Sequence, residues 1–271
     1  MLCYLILLST INPAIPLATM PPLQTINSAV NGFNAISLAD LDSVKLMNRV
    51  DSKFVFNIAV FENILIELQE NYSILEIESK RVFKYESLYF DTPEYQLYKH
   101  HHCGKPARVK VRYRKYVDSD LVFFEVKKKT KAGRTDKHRI VQPQISTTIQ
   151  ESEAALLEKM NVQLPNLEEK VWVYFDRITM ASKGTQERIT IDMNLALEDS
   201  HQKKYFPNII IAEVKQERYS RISKFVEVLR KRNIPELSIS KYALSVVTMK
   251  EGVKKNNFKA MINKLNKIHN A

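Results

Sequence analysis

Only five of the 271 residues are glycine. Neither G-x-x-x-x-G-K-[ST] nor G-x-G-x-x-G occurs, which excludes a glycine-rich loop that cradles phosphate through its backbone N–H groups. Cysteine is confined to Cys3 and Cys103. Two such residues make no disulfide framework and leave a zinc site short of ligands, so a reducing compartment is the simpler assumption. No Ser-His-Asp or Cys-His arrangement is visible, and the His100-His101-His102 run reads as a solvated loop because no partner stands at ligand spacing. Lysine and arginine are missing from the start: the first is Lys45.

That last absence bears on the leader. Met1 to Met20 is largely apolar, yet a secretory signal places cations before its apolar run. A spanning helix needs about 20 apolar residues, and Pro13 and Pro16 interrupt this stretch. Three readings fit: a weak signal or anchor, a buried arm, or a start codon placed too early, with Met20 the true start. The last is preferred. A cytoplasmic protein without a stable membrane span is the expectation, and the sequence implies no particular oligomeric state.

What is present is positive charge. The formal net charge is +11, within an otherwise globular composition of 45% hydrophobic and 26% charged residues. Such a balance points to an anionic partner. The cations also fall in a pattern. Arg108, Lys110, Arg112 and Arg114 alternate with Val109, Val111 and Tyr113 in strict period two, so a strand carries the cations on one face and a core-facing row on the other. The same device recurs at Arg49/Lys53, at Lys127, at Lys137/Arg139, at Arg188 and at Lys215. For one strand, a solvated outer face explains the pattern as well as a ligand does. Several such faces converging would repel one another unless an anion filled the space between them. Arginine suits that role, since its guanidinium grips phosphate oxygens in pairs.

Carboxylates share these faces: Glu125, Asp192 and Glu213 stand beside Lys127, Arg188 and Lys215. Oxygen ligands of this kind suit Mg²⁺ or Mn²⁺. Neutralisation of neighbouring cations is the preferred reading for Asp192, whereas metal ligation weighs higher for Glu213, with Glu125 the second candidate. Phosphoryl transfer needs positioning, charge neutralisation and usually a divalent ion, all of which such a cage supplies. A nucleic-acid binder is suggested by charge alone and would want stacking aromatics among the cations; Tyr113 and Tyr116 are nearby, but Tyr113 falls on the apolar face, and no nucleic-acid partner is expected.

Strands dominate the coarse pattern, with helices expected over Phe61–Asn71, Glu151–Met160 and Ser220–Arg232, a short one running from a Ser37 cap toward Met47, and a peripheral basic one after Lys250. Close consecutive strands argue for antiparallel pairing. The chain divides into a leader (1–36), one domain (37–249) and a basic tail (250–271).

Eight short motifs carry a resemblance: Arg49-Val50-Asp51-Ser52-Lys53-Phe54, Tyr89-Phe90-Asp91-Thr92, Lys110-Val111-Arg112-Tyr113-Arg114, Phe124-Glu125-Val126-Lys127, Lys137-His138-Arg139, Arg188-Ile189-Thr190-Ile191-Asp192, Ala212-Glu213-Val214-Lys215 and Ser240-Lys241-Tyr242. In this order they resemble the VTC domain, the polyphosphate polymerase domain of the triphosphate tunnel metalloenzyme (CYTH-like) superfamily. The resemblance implies an α+β fold, a closed antiparallel β-tunnel with basic walls and peripheral helices. It implies growth of a polyphosphate chain from the γ-phosphate of ATP, with Mn²⁺ or Mg²⁺ held by a glutamate. Residue by residue, Lys53, Arg112, Arg114 and Lys241 match catalytic cations. Lys127, Lys137, Arg139, Arg177 and Arg188 match further phosphate contacts, to which the charge pattern adds Arg49, Lys110 and Lys215, and Glu213 matches the metal ligand. Asp51 stands where CYTH relatives carry glutamates in E-x-E-x-K, which disfavours a standard CYTH triphosphatase. A tripolyphosphate or nucleoside triphosphate hydrolase on the same scaffold, and a non-catalytic polyphosphate-binding module, remain the alternatives.

Overall fold

The computed structural model describes residues 23–43, 50–131, 134–217 and 223–270. Its framework is a single sheet whose path runs β2 (Val50–Asn57), β11 (Ile209–Gln216), β9 (Glu187–Glu198), β8 (Glu168–Ser182), β4 (Phe83–Asp91), β5 (Arg108–Tyr116), β6 (Leu121–Lys129) and β7 (Thr135–Gln142). Every neighbouring pair along this path is antiparallel. The short β1 (Asn34–Ile36) and β3 (Tyr72–Leu75) pair in parallel beside β8, and β10 (Lys203–Phe206) extends β9.

Residues directly opposite in an antiparallel pair share a face, so the register decides which side chains meet. Val111 and Tyr113 of β5 and Phe124 and Val126 of β6 turn outward onto Leu156 and Leu157 of α5 (Glu151–Lys159). On the far side, Ile210, Ala212 and Val214 of β11 and Ile189 and Ile191 of β9 turn outward under α3 (Phe61–Leu68) and α6 (Lys224–Lys231). Each such fully buried side chain contributes about 1.5–3 kcal/mol. The charged rows all point the other way.

That inner face is concave. On a flat sheet β6 would lie six strand spacings from β2, or about 29 Å. Yet Lys110 on β5, next to β6, and Lys53 on β2 donate to adjacent residues, Ser240 Oγ at 2.9 Å and the Ile239 carbonyl at 3.1 Å. The sheet therefore curls into a tunnel, as expected. The ladder itself does not close: among the described residues no hydrogen bond joins β2 to β7. The free edge of β2 is covered instead by residues 236–239, through a Phe54–Glu236 bridge and the Leu237 N–H donating to the Lys53 carbonyl at 2.7 Å. The edge of β7 carries Lys137 and Arg139, cations of the kind that discourage strand addition.

Three expectations change. The histidine run is the end of a helix, α4 (Gln96–His102), with His102 6% exposed and its Nε2 accepting the Asn257 N–H. Residues after Pro235 lead into a further helix, α7 (Lys241–Met249), capped by Ser240, whose apolar residues are almost all buried. The basic tail forms α8 (Lys259–His269), and Met261 and Leu265 join the main core rather than resting on the surface. The Ser37 cap is as expected, its Oγ accepting the Asp40 N–H at 3.1 Å, while the extension toward Met47 lies outside the described residues. Among the described residues, no helix is long and apolar enough to cross a membrane.

Asp91 joins α4 to α7. Its buried carboxylate accepts the backbone N–H groups of Thr92, Leu97 and Tyr98 at 2.7–2.9 Å and the Tyr242 hydroxyl. Asp91→Ala leaves these donors unsatisfied, and we expect a loss of about 3 kcal/mol in urea denaturation. A loss below about 1 kcal/mol would show that the junction does not depend on it.

Candidate functional site

The inner rows follow from the register. On one wall Tyr89, Arg112, Glu125 and Arg139 stand opposite one another, and beside them Lys110, Lys127 and Lys137. On the other wall Arg188 faces Lys215, which faces Asp51, while Thr190 faces Glu213, which faces Lys53. Of the residues marked out by the sequence, Lys53, Lys110, Arg112, Arg114, Lys127, Lys137, Arg139, Arg177, Arg188, Lys215, Glu125 and Glu213 all lie on these inner faces. Lys241 reaches in from the first turn of α7. Arg49 lies outside the described residues.

Two carboxylates bind the walls together. Glu125, 1% exposed, accepts from Arg112 Nε at 2.8 Å on one oxygen and from Lys137 Nζ at 2.5 Å on the other, with Arg114 at 4.0 Å. Burial alone would raise its pKa, but Arg112, Arg114 and Lys137 outweigh burial and hold the carboxyl well below the usual carboxylate range. Asp192 accepts a paired contact from Arg177, at 2.5 and 2.9 Å, and a third from Lys241. Those two cations likewise overcome burial and keep it ionised. Both acids are therefore occupied in pairing.

The remaining cations have less to hold. Lys53 Nζ donates to the Ile239 carbonyl at 3.1 Å, and Lys110 Nζ to Ser240 Oγ at 2.9 Å. Burial, followed by the charges of Lys53 and Lys127, drives Lys110 well below the ordinary lysine value. Lys137 and Lys215 come down to about 8, with burial the largest cause in each. The Arg114 Nε is buried with no hydrogen-bond partner, and the side chain lies over the Tyr85 ring at 5.7 Å. An unsatisfied buried donor costs about 1–3 kcal/mol and calls for an explanation, of which an absent acceptor is one.

Glu213 differs from the other two acids. Its salt-bridge partner is Lys215 at 3.4 Å, and its side chain is 24% exposed. Lys215 and Lys53 overcome burial and keep it ionised. No group of three or more potential metal ligands occurs among the described residues. Only sites completed by a ligand's own oxygens fit this geometry.

Sequence reading missed Tyr89 and the segment before α7. Tyr89 Oη accepts from Arg112 Nη1 at 2.9 Å and its ring stacks on Tyr242 at 5.2 Å. Its signal was its place in Tyr89-Phe90-Asp91-Thr92, two residues before the junction carboxylate. The Ile239 carbonyl carries no side-chain signal at all.

With the geometry in place, comparison with known proteins gives one decisive match. The VTC domain family model matches residues 48–250. The chain belongs to the VTC domain family. Among solved structures, this VTC domain is similar to a candidate adenylate cyclase from Vibrio parahaemolyticus, at 14% identity over 73% of this chain and 99% of that one, TM-score 0.45. It is also similar to a candidate adenylate cyclase from Bacillus halodurans, at 13% identity over 74% and 97%, TM-score 0.46. A third is a candidate adenylyl cyclase from Hippeastrum with a dominant triphosphatase activity, at 15% identity over 76% and 98%, TM-score 0.46. These scores add nothing to the fold already described. No curated protein matches.

The lowered lysine values give a pH test. Lys137 and Lys215 titrate near 8 in the fold against about 10.4 in an unfolded chain. Between those values the native state holds fewer protons than the unfolded one, so stability of the free domain rises with pH through that window. A bound polyanion reverses the shift. Titration with tripolyphosphate at pH 8.5 in buffers of different ionisation enthalpy should show proton uptake, with affinity falling as pH climbs past 8. Binding without proton uptake would contradict the assignment.

Proposed function

We propose that this VTC domain is a phosphotransferase that moves the γ-phosphoryl group of ATP onto the end of a polyphosphate chain inside the basic tunnel. The observation that carries the reading is the surplus of cations over carboxylates on the inner wall, with the buried Arg114 Nε left without a hydrogen-bond partner. Like charges gathered at low dielectric are unfavourable by themselves, and a phosphate chain offsets them along its whole length.

Lys53, Arg112, Arg114 and Lys241 hold the terminal phosphates in this proposal, and Lys110, Lys127, Lys137, Arg139, Arg177, Arg188 and Lys215 extend the track. A terminal oxygen of the acceptor chain forms the new bond to phosphorus, the bond to the β-phosphate breaks, and ADP leaves. The acceptor oxygen is already anionic, so positioning and charge neutralisation suffice. Mg²⁺ or Mn²⁺ fits at Glu213, one carboxylate plus phosphate oxygens being the habit of such ions, with Asp51 diagonal to it on the next strand. The ion would neutralise charge on the bridging phosphates. Glu125, with both oxygens taken by cations, is better suited to orienting Arg112 and Lys137 than to ligation. A cytoplasmic setting, where ATP is present, agrees with this chemistry.

Incubation with ATP and Mn²⁺, followed by a gel stained for polyphosphate, tests the proposal. A ladder of long chains with ADP is expected. Orthophosphate without a ladder would replace transfer by hydrolysis on the same walls, and neither product would leave a binding module. Glu213→Gln is expected to keep tripolyphosphate affinity within about threefold, a change under 1 kcal/mol, while abolishing metal-dependent turnover. Unchanged turnover would place the metal elsewhere.

A further inference from the structure

Positive charge is not confined to the cage. Residues 250–271, all but the first beyond the family match, hold six lysines, no arginine and a single carboxylate, Glu251. Met261 and Leu265 mark the buried side of α8. On its opposite side Lys259, Asn263 and Lys267 follow one another at four-residue spacing, all exposed, and the exposed Lys254 precedes them. Among the described residues none of the six lysines forms an ion pair. The tail borders an aromatic patch on the outer face of the sheet. Where α7 ends, the Gln202 amide and the Lys204 ammonium donate to the Met249 and Thr248 carbonyls at 3.3 and 3.2 Å. Where α8 ends, the His269 ring meets Phe206 of β10 at 5.6 Å. Across β8, β9 and β10, Trp172 faces Glu198, which faces Lys203, and in the next row Tyr174 faces Ala196, which faces Tyr205. The Trp172 and Tyr174 rings lie parallel at 6.0 Å, with the Lys203 ammonium 4.0 Å from the Tyr174 centroid. Tyr205 is 63% exposed, and neither it nor Tyr174 belongs to any of the three apolar clusters that make up the core. Glu198 is neutralised by Lys203 at 2.8 Å.

We infer that this face seats the domain on the surface of a bilayer containing anionic phospholipid, with Tyr205, Tyr174 and Trp172 at the headgroup layer and the tail lysines over its phosphates. Tyrosine and tryptophan join an apolar body to a polar tip, which suits the boundary between hydrocarbon and water. Lysine suits a fluid layer of headgroups because it is a compact, hydrated point charge on a flexible stem, whereas a guanidinium fork fixes one phosphate in place. The two surfaces divide along that line: the cage uses Arg112, Arg114 and Arg177, and the tail uses lysine alone. Contact of this kind is peripheral and reversible, and it needs no spanning helix. It is independent of what the cage holds.

Sedimentation of the full chain with vesicles of phosphatidylcholine, alone and with about one-third phosphatidylserine, tests it. Binding should require the anionic lipid and fall away as salt is added. Trp172 is the only tryptophan of the chain, so its emission should shift to the blue as this face meets the vesicle. Joint replacement Lys254→Gln, Lys259→Gln and Lys267→Gln should weaken vesicle binding about a hundredfold, at about fivefold for each lysine near the surface. Arginine at the same three positions should keep it. Tyr205→Ala should weaken binding without changing its salt dependence. An unchanged melting temperature shows that each variant is folded. No binding to anionic vesicles, equal binding to both compositions, or wild-type binding by the glutamine variant would overturn the inference. Binding without a shift in Trp172 emission would do so too, by placing the contact on another face. Loss of tripolyphosphate affinity in the glutamine variant would assign the lysines to the phosphate chain instead.

Discussion

Mutual repulsion among cations on one concave surface is the constraint around which this domain is organised. The inner wall gathers lysines and arginines from seven of its strands and from α7, and partial burial removes some of the water that would screen them. The cost is visible in the lysines, which give up protons more readily than usual. Apolar rows on the outer faces of the same strands supply the offset. Period-two alternation serves both ends at once, since each residue added to the cage places the next one in the core.

Two kinds of residue keep the cage in shape. Glu125 and Asp192 each hold more than one cation at fixed distance, so the walls keep their geometry without a ligand. The segment from Glu236 to Ser240 seals the free edge of β2 and offers Lys53 and Lys110 their oxygen acceptors. These lysine contacts are neutral and solitary, unlike the paired carboxylate contacts of Arg112 and Arg177. A phosphate oxygen can displace them without stranding a charge. The rigid arginines therefore define the track, and the lysines remain available to a moving ligand.

Much of this was legible before the structure. Arg108 to Arg114 and Glu125 to Lys127 announce both a strand and its charged face, because alternation is local. Neutralisation was the preferred reading for Asp192, but its partners are Arg177 and Lys241 rather than the neighbouring Arg188. Features that depend on distant register were not readable. Nothing in the sequence aligns Lys110 with Ser240, 130 residues away, or Lys53 with the Ile239 carbonyl. The histidine run was misjudged because its environment comes from Asn257 and Phe258 of the tail, and a lone polar triplet carries no trace of such partners.

The most direct test of the cage is thermal unfolding of the domain at low salt across a titration of inorganic tripolyphosphate. Filling the cage should raise the melting temperature continuously, with stabilisation of about 2.7 kcal/mol at a hundredfold excess over the dissociation constant. The gain should shrink as salt is added. A melting temperature that does not move at any concentration would contradict the central claim, because converging cations without an anion to hold would then have no function.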